Sequence, residues 1–587
     1  MKSGIRSSRR IPGGRRFSPA LLVFFLALIL RLLFWQATPD SNWAHSALYK
    51  GDAATWVEQA WAIGNSQSYE FDLPLRPPGA AYLMAFFWGG GDSIVSLKLL
   101  WILLGALAVT IVYHAASRDF GPNVGLVCGF VCAASSGLMI LSTSLNNETP
   151  YLVLVAGCIA CWKPLVVRPR RSLIVLWAIL NAAACLVRVE HILFCVLASA
   201  IVAACWLRDS SRRQVLGRCA LSLVVFASVL APWQVRAWRA IEHFNTVEHS
   251  LPSASESAMQ RIEQSAAGID WTEEADALRM RLPAFCRRES ASFVAATVAV
   301  RGRNRVSAAD LGILEEAFGS IPEPLPVYPF VTFYGGLNFY LANNSEAGVG
   351  FDRAPLERPP PLAGGAHRYP SIMVQGLPPP DLALSYPPHL EAVNHGWLLG
   401  FEWLAAHPSK ALGRAAERLF AFWHGAATGI GGANLPLGLS GFRGRADMVA
   451  PMKSPLSALW RLAWLVVAGF GLSLGLHDRP LEMTPWLLFL ATKIVAATVF
   501  FGYVRHGAST VPVIALFAGL VTSRLVRKGP SVEVRRVLPL ATAALFIVLE
   551  ITRWLLGPQI IIDGRDIAGG VPWPLEDHAG RVVTVTR

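Results

Sequence analysis

The feature that most restricts this chain is a succession of apolar runs, most of them 17 to 22 residues long, separated by short loops rich in arginine and lysine. A helical run of that length crosses the roughly 30 Å hydrocarbon core of a bilayer. Within that core a segment must satisfy its own backbone hydrogen bonds, so such runs are stable there as helices. Runs at 20–37, 98–116, 122–142, 149–162, 172–187, 191–207, 215–233, 456–476, 485–502, 508–525 and 536–556 give eleven spans, with an inside N-terminus and an outside C-terminus. The basic residues support this orientation. The segments assigned inside hold the N-terminal arginines, Arg118, Lys163 with Arg168, Arg170 and Arg171, Arg208 with Arg212, Arg213 and Arg218, Arg479, and Arg524 to Arg536. The short outside loops hold little beyond Lys50, Arg76, Arg188 and Arg505, about 21 basic residues against four or five.

Composition agrees. Of 587 residues 53% are hydrophobic and only 16% charged, where a soluble protein would carry about a quarter charged. The net charge of +13 would suit a nucleic-acid binder, but its confinement to alternate loops makes it a topology signal, and no nucleic-acid partner is expected. The residues from Arg9 to Trp35 resemble an uncleaved signal anchor. Eight of nine cysteines lie in or beside apolar runs and only Cys286 lies in the large polar region, so Cys158-x-x-Cys161 reads as packing and that region has no internal disulfide.

The chain therefore divides into a basic cytoplasmic N-terminus (1–19), an N-terminal transmembrane module (20–235) that includes a first outside loop (38–97), a large outside region (236–453), C-terminal transmembrane helices (454–556) and an outside tail (557–587) with a strand-like end from Val582 to Val585. The apolar stretch Gly79–Trp88, closed off by Pro77-Pro78 and Gly89-Gly90-Gly91, is too short to span and reads as a dipping helix. The large region carries a helical pattern from Ala254 to Met280, proline-rich segments at Pro359–Pro361 and Pro378–Pro380, and a second helical pattern from Gly396 to Trp423. A connection this long usually acts as a lid, a binding face or a small domain. The fold expected is an all-α polytopic membrane protein of about eleven helices, with interfacial helices in the first loop and a large extracytoplasmic loop region.

That first loop holds the densest chemistry. From Tyr49 to Gly79 carboxylates (Asp52, Glu58, Glu70, Asp72) alternate with aromatics (Trp56, Trp61, Tyr69) and end in Arg76-Pro77-Pro78. Ala53, Trp56, Val57, Ala60 and Trp61 fall on one helical face, which predicts an amphipathic helix at the interface with Asp52 as its N-cap. At the same membrane end the spacing places Asn146-Asn147-Glu148, Arg188-Val189-Glu190-His191, Arg236 and Arg239 after Pro232-Trp233, and Tyr503-Val504-Arg505-His506. Each taken alone could be a loop residue forming an interfacial ion pair. As a set of acids, arginines and histidines at one depth they suit transfer from a lipid phosphate. A carboxylate such as Asp52 takes a proton from an acceptor or helps hold a divalent cation, arginines bind the phosphate, and Trp and Tyr faces stack on a sugar.

The stretches GDAATWVEQAW, LRPPGAAYLMAFFW, SLNNETPYLVL, RVEHILF, APWQVRAWRAI, NFYLANNSEAGVGF and FFGYVRHGASTVPVIALFAG, in this order over about residues 20–530, resemble the polytopic GT-C glycosyltransferases. The closest branch is the bacterial one that holds protein O-mannosyltransferases and lipid A aminoarabinose transferases. The resemblance implies a glycosyltransferase of the cell envelope, in the inner (plasma) membrane with its active site extracytoplasmic. Its donor would be a polyprenyl-phosphate-linked sugar, its acceptor a protein, lipid or glycan. By position Asp52 and Glu148 match catalytic acids, Arg505-His506 matches a late Arg-Tyr motif, and Arg236 matches an arginine after Pro-Trp. Arg188, Arg76, Glu58 and Trp56 complete the candidate substrate site. A divalent cation, Mg or Mn, is the one cofactor considered, although Ala53 stands where a second adjacent acid would make a two-acid metal site. The competing reading is a lipid or sugar transporter or flippase without transferase chemistry, which calls for ionisable groups at mid-membrane.

Overall fold

A computed structural model describes residues 18–37, 44–46, 49, 51–67, 73–88, 93–248, 325–326, 329–345, 347–348, 387–430 and 455–528, with two pairs of two-residue strands at Asp270–Trp271/Arg305–Val306 and Glu576–Asp577/Arg581–Val582. Of the helical pattern at 254–280 only Asp270–Trp271 is described, and it is a strand; the proline-rich segments and the span at 536–556 lie outside the described residues, as does the end of the tail beyond Val582. The protein is an all-α membrane protein. Among the described residues seven helices are long and apolar enough to cross a membrane, or eight when one bent pair counts as a single span. Long helices are α1 (Pro19–Ala37), α4 (Val95–Phe120), α7 (Glu148–Val167), α9 (His191–Asp209), α10 (Arg212–His243), α14 (Pro455–Asp478) and α15 (Pro480–Val499). The bent pair is α5 (Pro122–Ala134) and α6 (Ser136–Thr143). The expected count of eleven is not confirmed among the described residues: α8 (Arg171–Val187) and the apolar part of α17 (Val511–Lys528) are shorter apolar helices than these seven, and the span at 536–556 lies outside the described residues.

One continuous apolar core joins the first module to the C-terminal helices: α5 packs on α4 and α17, α4 on α7, and α14 on α17. The run read as one span over 122–142 bends by 56° at Ser135, whose extended backbone breaks the helix and whose hydroxyl accepts from Leu138 N to start α6. A break leaves carbonyls without helical partners. Arg31 of α1, only 1% exposed, reaches that region and donates to the Ala133 carbonyl and to Ser142 Oγ. The consequence of the bend is positional, since α6 delivers the chain to Asn146–Glu148 underneath the first outside loop.

In that loop α2 (Ala53–Gly64) turns its apolar face onto α3 (Gly79–Trp88) and onto Ile94, Leu97 and Trp101 at the start of α4. Trp56 is thus buried in protein. Ten residues long, α3 packs on α2, α4 and α8 and leaves Tyr82, Phe86 and Phe87 exposed. The loop is tied down by polar contacts: Trp101 Nε1 donates to the Asn146 carbonyl (2.8 Å), Asn146 Oδ1 accepts from Asp52 N (2.8 Å), and Lys98 donates to the carbonyls of His45 and Thr143.

The region between α10 and α14 contributes α11 (Tyr334–Ala342), α12 (Pro387–Ala406) and α13 (Pro408–Thr428), and α10 runs on past the boundary drawn at residue 236 to His243. The buried Arg418 of α13 donates to the Ala342 and Thr498 carbonyls and so joins the ends of α11 and α15. Against α13 lies the short α16 (Val504–Ala508), with backbone almost touching backbone. A Cβ on Gly507 would meet the Phe422 carbonyl at 1.8 Å, and one on Gly425 would meet the Val504 carbonyl at 1.9 Å. No side chain is available there to move aside. Gly507→Ala is therefore expected to destabilise the protein by about 1–3 kcal/mol, read as a lower unfolding temperature, and to displace the Arg505-His506 pair it precedes or follows in α16.

Candidate active site

Six chain segments converge at one end of the bundle: the residues before α2, Arg76 ahead of α3, the N-terminus of α7, the α8–α9 turn, the C-terminal half of α15, and α16. Asp52 occupies the N-cap position of α2, but its side chain makes no capping hydrogen bond. The capping role expected from the sequence is not realised: the carboxylate turns to Arg505 Nη1 (3.5 Å) and Arg76 Nη1 (3.8 Å) and away from the first-turn amides, while the Asp52 N–H itself donates to Asn146 Oδ1. Its side chain is 44% exposed. Packing against the protein works to raise the Asp52 pKa, but Arg505 and Arg76 outweigh it and hold the carboxyl below the usual carboxylate value.

Glu148 is the opposite case. It opens α7, its side chain is 2% exposed, and Oε1 collects Arg188 Nη1 (3.0 Å), Arg505 Nε (3.5 Å) and the Tyr49 hydroxyl (3.5 Å). Its second oxygen, Oε2, is buried and has no hydrogen-bond partner. An acceptor molecule could reach Asp52 from solvent; Glu148 is available only to something already inside the site.

The two arginines at the centre differ in how many donors they have in use. Arg188 ends α8, and its guanidinium is almost fully engaged: Nε on Glu190, Nη1 on Asn147 Oδ1 and Glu148 Oε1, Nη2 on His506 Nε2 (3.1 Å). Arg505 donates through Nη1 to the Tyr49 hydroxyl and to Asp52, while its buried Nε has no hydrogen-bond partner. Its guanidinium also lies over the rings of Tyr503 (4.9 Å) and Tyr49 (5.7 Å). Because an arginine can only donate, His506 Nε2 accepts from Arg188, and the ring proton sits on Nδ1, which donates to the Phe501 carbonyl (3.1 Å). Burial and the neighbouring Arg188, Arg505 and Lys493 push the His506 pKa well below its usual value, so the ring is neutral. Glu190, despite burial, is held well below the carboxylate range by Arg188 and Lys493.

The geometry thus gathers Asp52, Arg76, Glu148, Arg188, Arg505 and His506. Glu58 lies on the exposed face of α2, away from Asp52. Trp56 touches the site only through its ring, 6.0 Å from the Arg76 guanidinium. Arg236 sits over the Trp233 ring (5.2 Å), whose indole is fixed by the Val331 carbonyl, and among the described residues no ion pair links it to Asp52 or Glu148. Two members escaped the sequence reading. Tyr49 was passed over as the residue before the motif. Lys493 hides in an apolar run, and its one signal was that it is the sole charge between Glu482 and Arg505.

A divalent cation does not fit this donor set. Asp52 and Glu148 already face guanidinium groups, the surroundings are cationic, and among the described residues no three His, Cys, Asp or Glu side chains cluster as metal ligands.

A family model described as dolichyl-phosphate-mannose-protein mannosyltransferase matches residues 75–233. That interval contains LRPPGAAYLMAFFW, SLNNETPYLVL and RVEHILF, and it bears out the GT-C resemblance read from those motifs. No curated protein matches by sequence. Among solved structures, the oligosaccharyltransferase of Archaeoglobus fulgidus, complexed with Zn and sulfate, is similar at 13% identity and a TM-score of 0.36. The match covers 91% of this chain but 53% of that one, so the chain spans about half its length. ArnT from Cupriavidus metallidurans is similar in its apo state (16% identity, TM-score 0.32, 87% of this chain and 81% of that one) and when bound to undecaprenyl phosphate (13%, 0.32, 91% and 88%).

Proposed function

We propose that this protein is an integral-membrane glycosyltransferase that moves a sugar from a polyprenyl-phosphate donor to an acceptor on the extracytoplasmic face of the inner membrane. The observation that carries the reading is the juxtaposition of Asp52, a half-exposed carboxylate with no capping duty, and Arg505, an arginine with donors still unused. Charge supports it. Four cations (Arg76, Arg188, Lys493, Arg505) face three carboxylates (Asp52, Glu148, Glu190) around a neutral histidine, which leaves one positive charge for an anion to answer.

In this mechanism the acceptor hydroxyl or amine approaches Asp52 and attacks the anomeric carbon. The bond from that carbon to the phosphate oxygen breaks, the electron pair leaves on the polyprenyl phosphate, and the acceptor's proton passes to Asp52. Arg505 stabilises the charge that develops on the departing phosphate. The same residue couples binding to chemistry. While it faces Asp52 it keeps that carboxylate a weak base; once its guanidinium turns to the donor phosphate, Asp52 loses its nearest cation and its basicity rises. Glu148 and Arg188 hold Arg505 and His506 in place beneath it. A transporter would string ionisable groups through the membrane depth, whereas this network, apart from Lys493 within α15, lies at one end of the helices that carry it.

The reading is tested by incubating the purified protein with a polyprenyl-phospho-sugar labelled in the lipid and a crude envelope extract as acceptor. Acceptor-dependent release of free polyprenyl phosphate is expected, at the same rate with and without chelator, since the donor set does not suit a cation. Movement of intact donor across vesicles without any release would favour the transporter.

A further inference from the structure

Lys493 is a charged residue inside a membrane helix, two-thirds of the way along α15, and its side chain is only 2% exposed. A cation so placed is costly unless something holds it. Here Nζ lies 3.2 Å from Glu190 Oε1 and 4.3 Å from the centre of the Tyr151 ring. Tyr151 is itself fixed, its hydroxyl 3.1 Å from His191 Nδ1, and His191 Nε2 is 3.1 Å from Asn181 Oδ1. Neither lysine nor glutamate touches Asp52. Glu190 touches Arg188 and Lys493 reaches it through Glu190: the Glu190 oxygen that receives Lys493 is the same one that receives Arg188 Nε. Glu190 sits at the N-cap of α9 without making a capping bond, so its carboxylate is directed wholly to these two cations.

We propose that Lys493 and Glu190 form a positioning pair for the anion site. Resting on the lipid-phosphate reading above, their task is to hold the Arg188 guanidinium so that its remaining edges face Glu148 and His506. With Arg188 satisfying Glu148 Oε1 at 3.0 Å, Arg505 Nε stays at the longer 3.5 Å from that oxygen, buried and without a hydrogen bond, so the Arg505 guanidinium is not locked onto Glu148 and can turn to a phosphate. Without Lys493, Glu190 draws Arg188 to itself alone, Glu148 turns to Arg505, and the phosphate donor is lost to an internal ion pair. The pair also sets the sign of the site, because Lys493 supplies the one cation in excess.

The test is equilibrium binding of undecaprenyl phosphate to the purified full-length protein, beside its unfolding temperature. Lys493→Met is expected to weaken binding about 10–100-fold, the range found when partners behind a ligand-holding group are removed, whereas Lys493→Arg keeps it near wild type. Because a single deletion strands a buried charge, the neutral double variant Lys493→Met/Glu190→Gln decides the matter. It removes both charges together, is expected to unfold at a temperature close to wild type, and is still expected to bind weakly, because Arg188 has lost its anchor. Wild-type affinity in that folded double variant would overturn the positioning role while leaving the lipid-phosphate site standing. Should the double variant unfold, Lys493→Arg against Lys493→Gln carries the test, and equal binding by the two overturns it. Failure of the wild type itself to bind undecaprenyl phosphate would remove the lipid-phosphate reading and this inference with it.

Discussion

Asp52→Asn is expected to reduce sugar transfer by about 10²–10⁴-fold, the usual contribution of a positioned general base, while leaving undecaprenyl phosphate binding and the unfolding temperature close to wild type. The separation follows from the geometry. Asp52 caps nothing with its side chain, so α2 loses no hydrogen bond when the carboxylate becomes an amide. Its backbone N–H keeps Asn146 in either case. Its main cation, Arg505, retains the Tyr49 hydroxyl and Glu148, so no buried charge is stranded. The ion pair itself is half-exposed and contributes little to stability. Glu148 would not behave this way, since it is fully enclosed and neutralises two arginines. Turnover by Asp52→Asn within a few-fold of wild type would take Asp52 out of the chemistry and leave it as a surface acid beside an arginine.

Much of this arrangement was legible in the sequence, for identifiable reasons. Transmembrane helices advertise themselves by length and apolarity, and the arginine bias placed Asp52, Glu148, Arg188 and Arg505 at one membrane end before any contact was known. What stayed hidden depends on the third dimension. Beyond Pro122 at its start, the run 122–142 holds no proline or charge to mark the bend at Ser135; a small side chain capping a new helix is enough. Asp52 looked like a cap because an acid preceding an amphipathic run usually is one, and what draws its carboxylate away from the helix start is Arg505, 453 positions away, together with Arg76. The arginines could be gathered but not sorted: that Arg188 is almost fully engaged within the protein and Arg505 only in part depends on Glu190, Asn147 and His506 arriving around the former. Glu58 was drawn into the candidate set by nearness in sequence, yet six positions from Asp52 on a helix is the far side for a side chain that must turn back toward α16.

Arg505→Lys is expected to cost about 10²–10³-fold in turnover and to weaken binding of the lipid phosphate, even though the charge is kept. Lysine can supply a cation to Asp52 or to Glu148, but it lacks the planar fork that lets Arg505 meet Tyr49 and Asp52 through Nη1 while its Nε still faces the interior. It also gives up the stacking of a flat guanidinium between the Tyr49 and Tyr503 rings, which orients the donors that remain open. The combination with Asp52→Asn separates two views of the site. If Arg505 restrains Asp52 until a phosphate draws it away, the two residues act as one unit, and the double variant should lose little more than the worse single variant. Losses that multiply would mean that base and phosphate clamp work independently. Asp52 would then depend for its basicity on its half-exposed position alone, and the coupling of donor binding to proton abstraction would have to be given up.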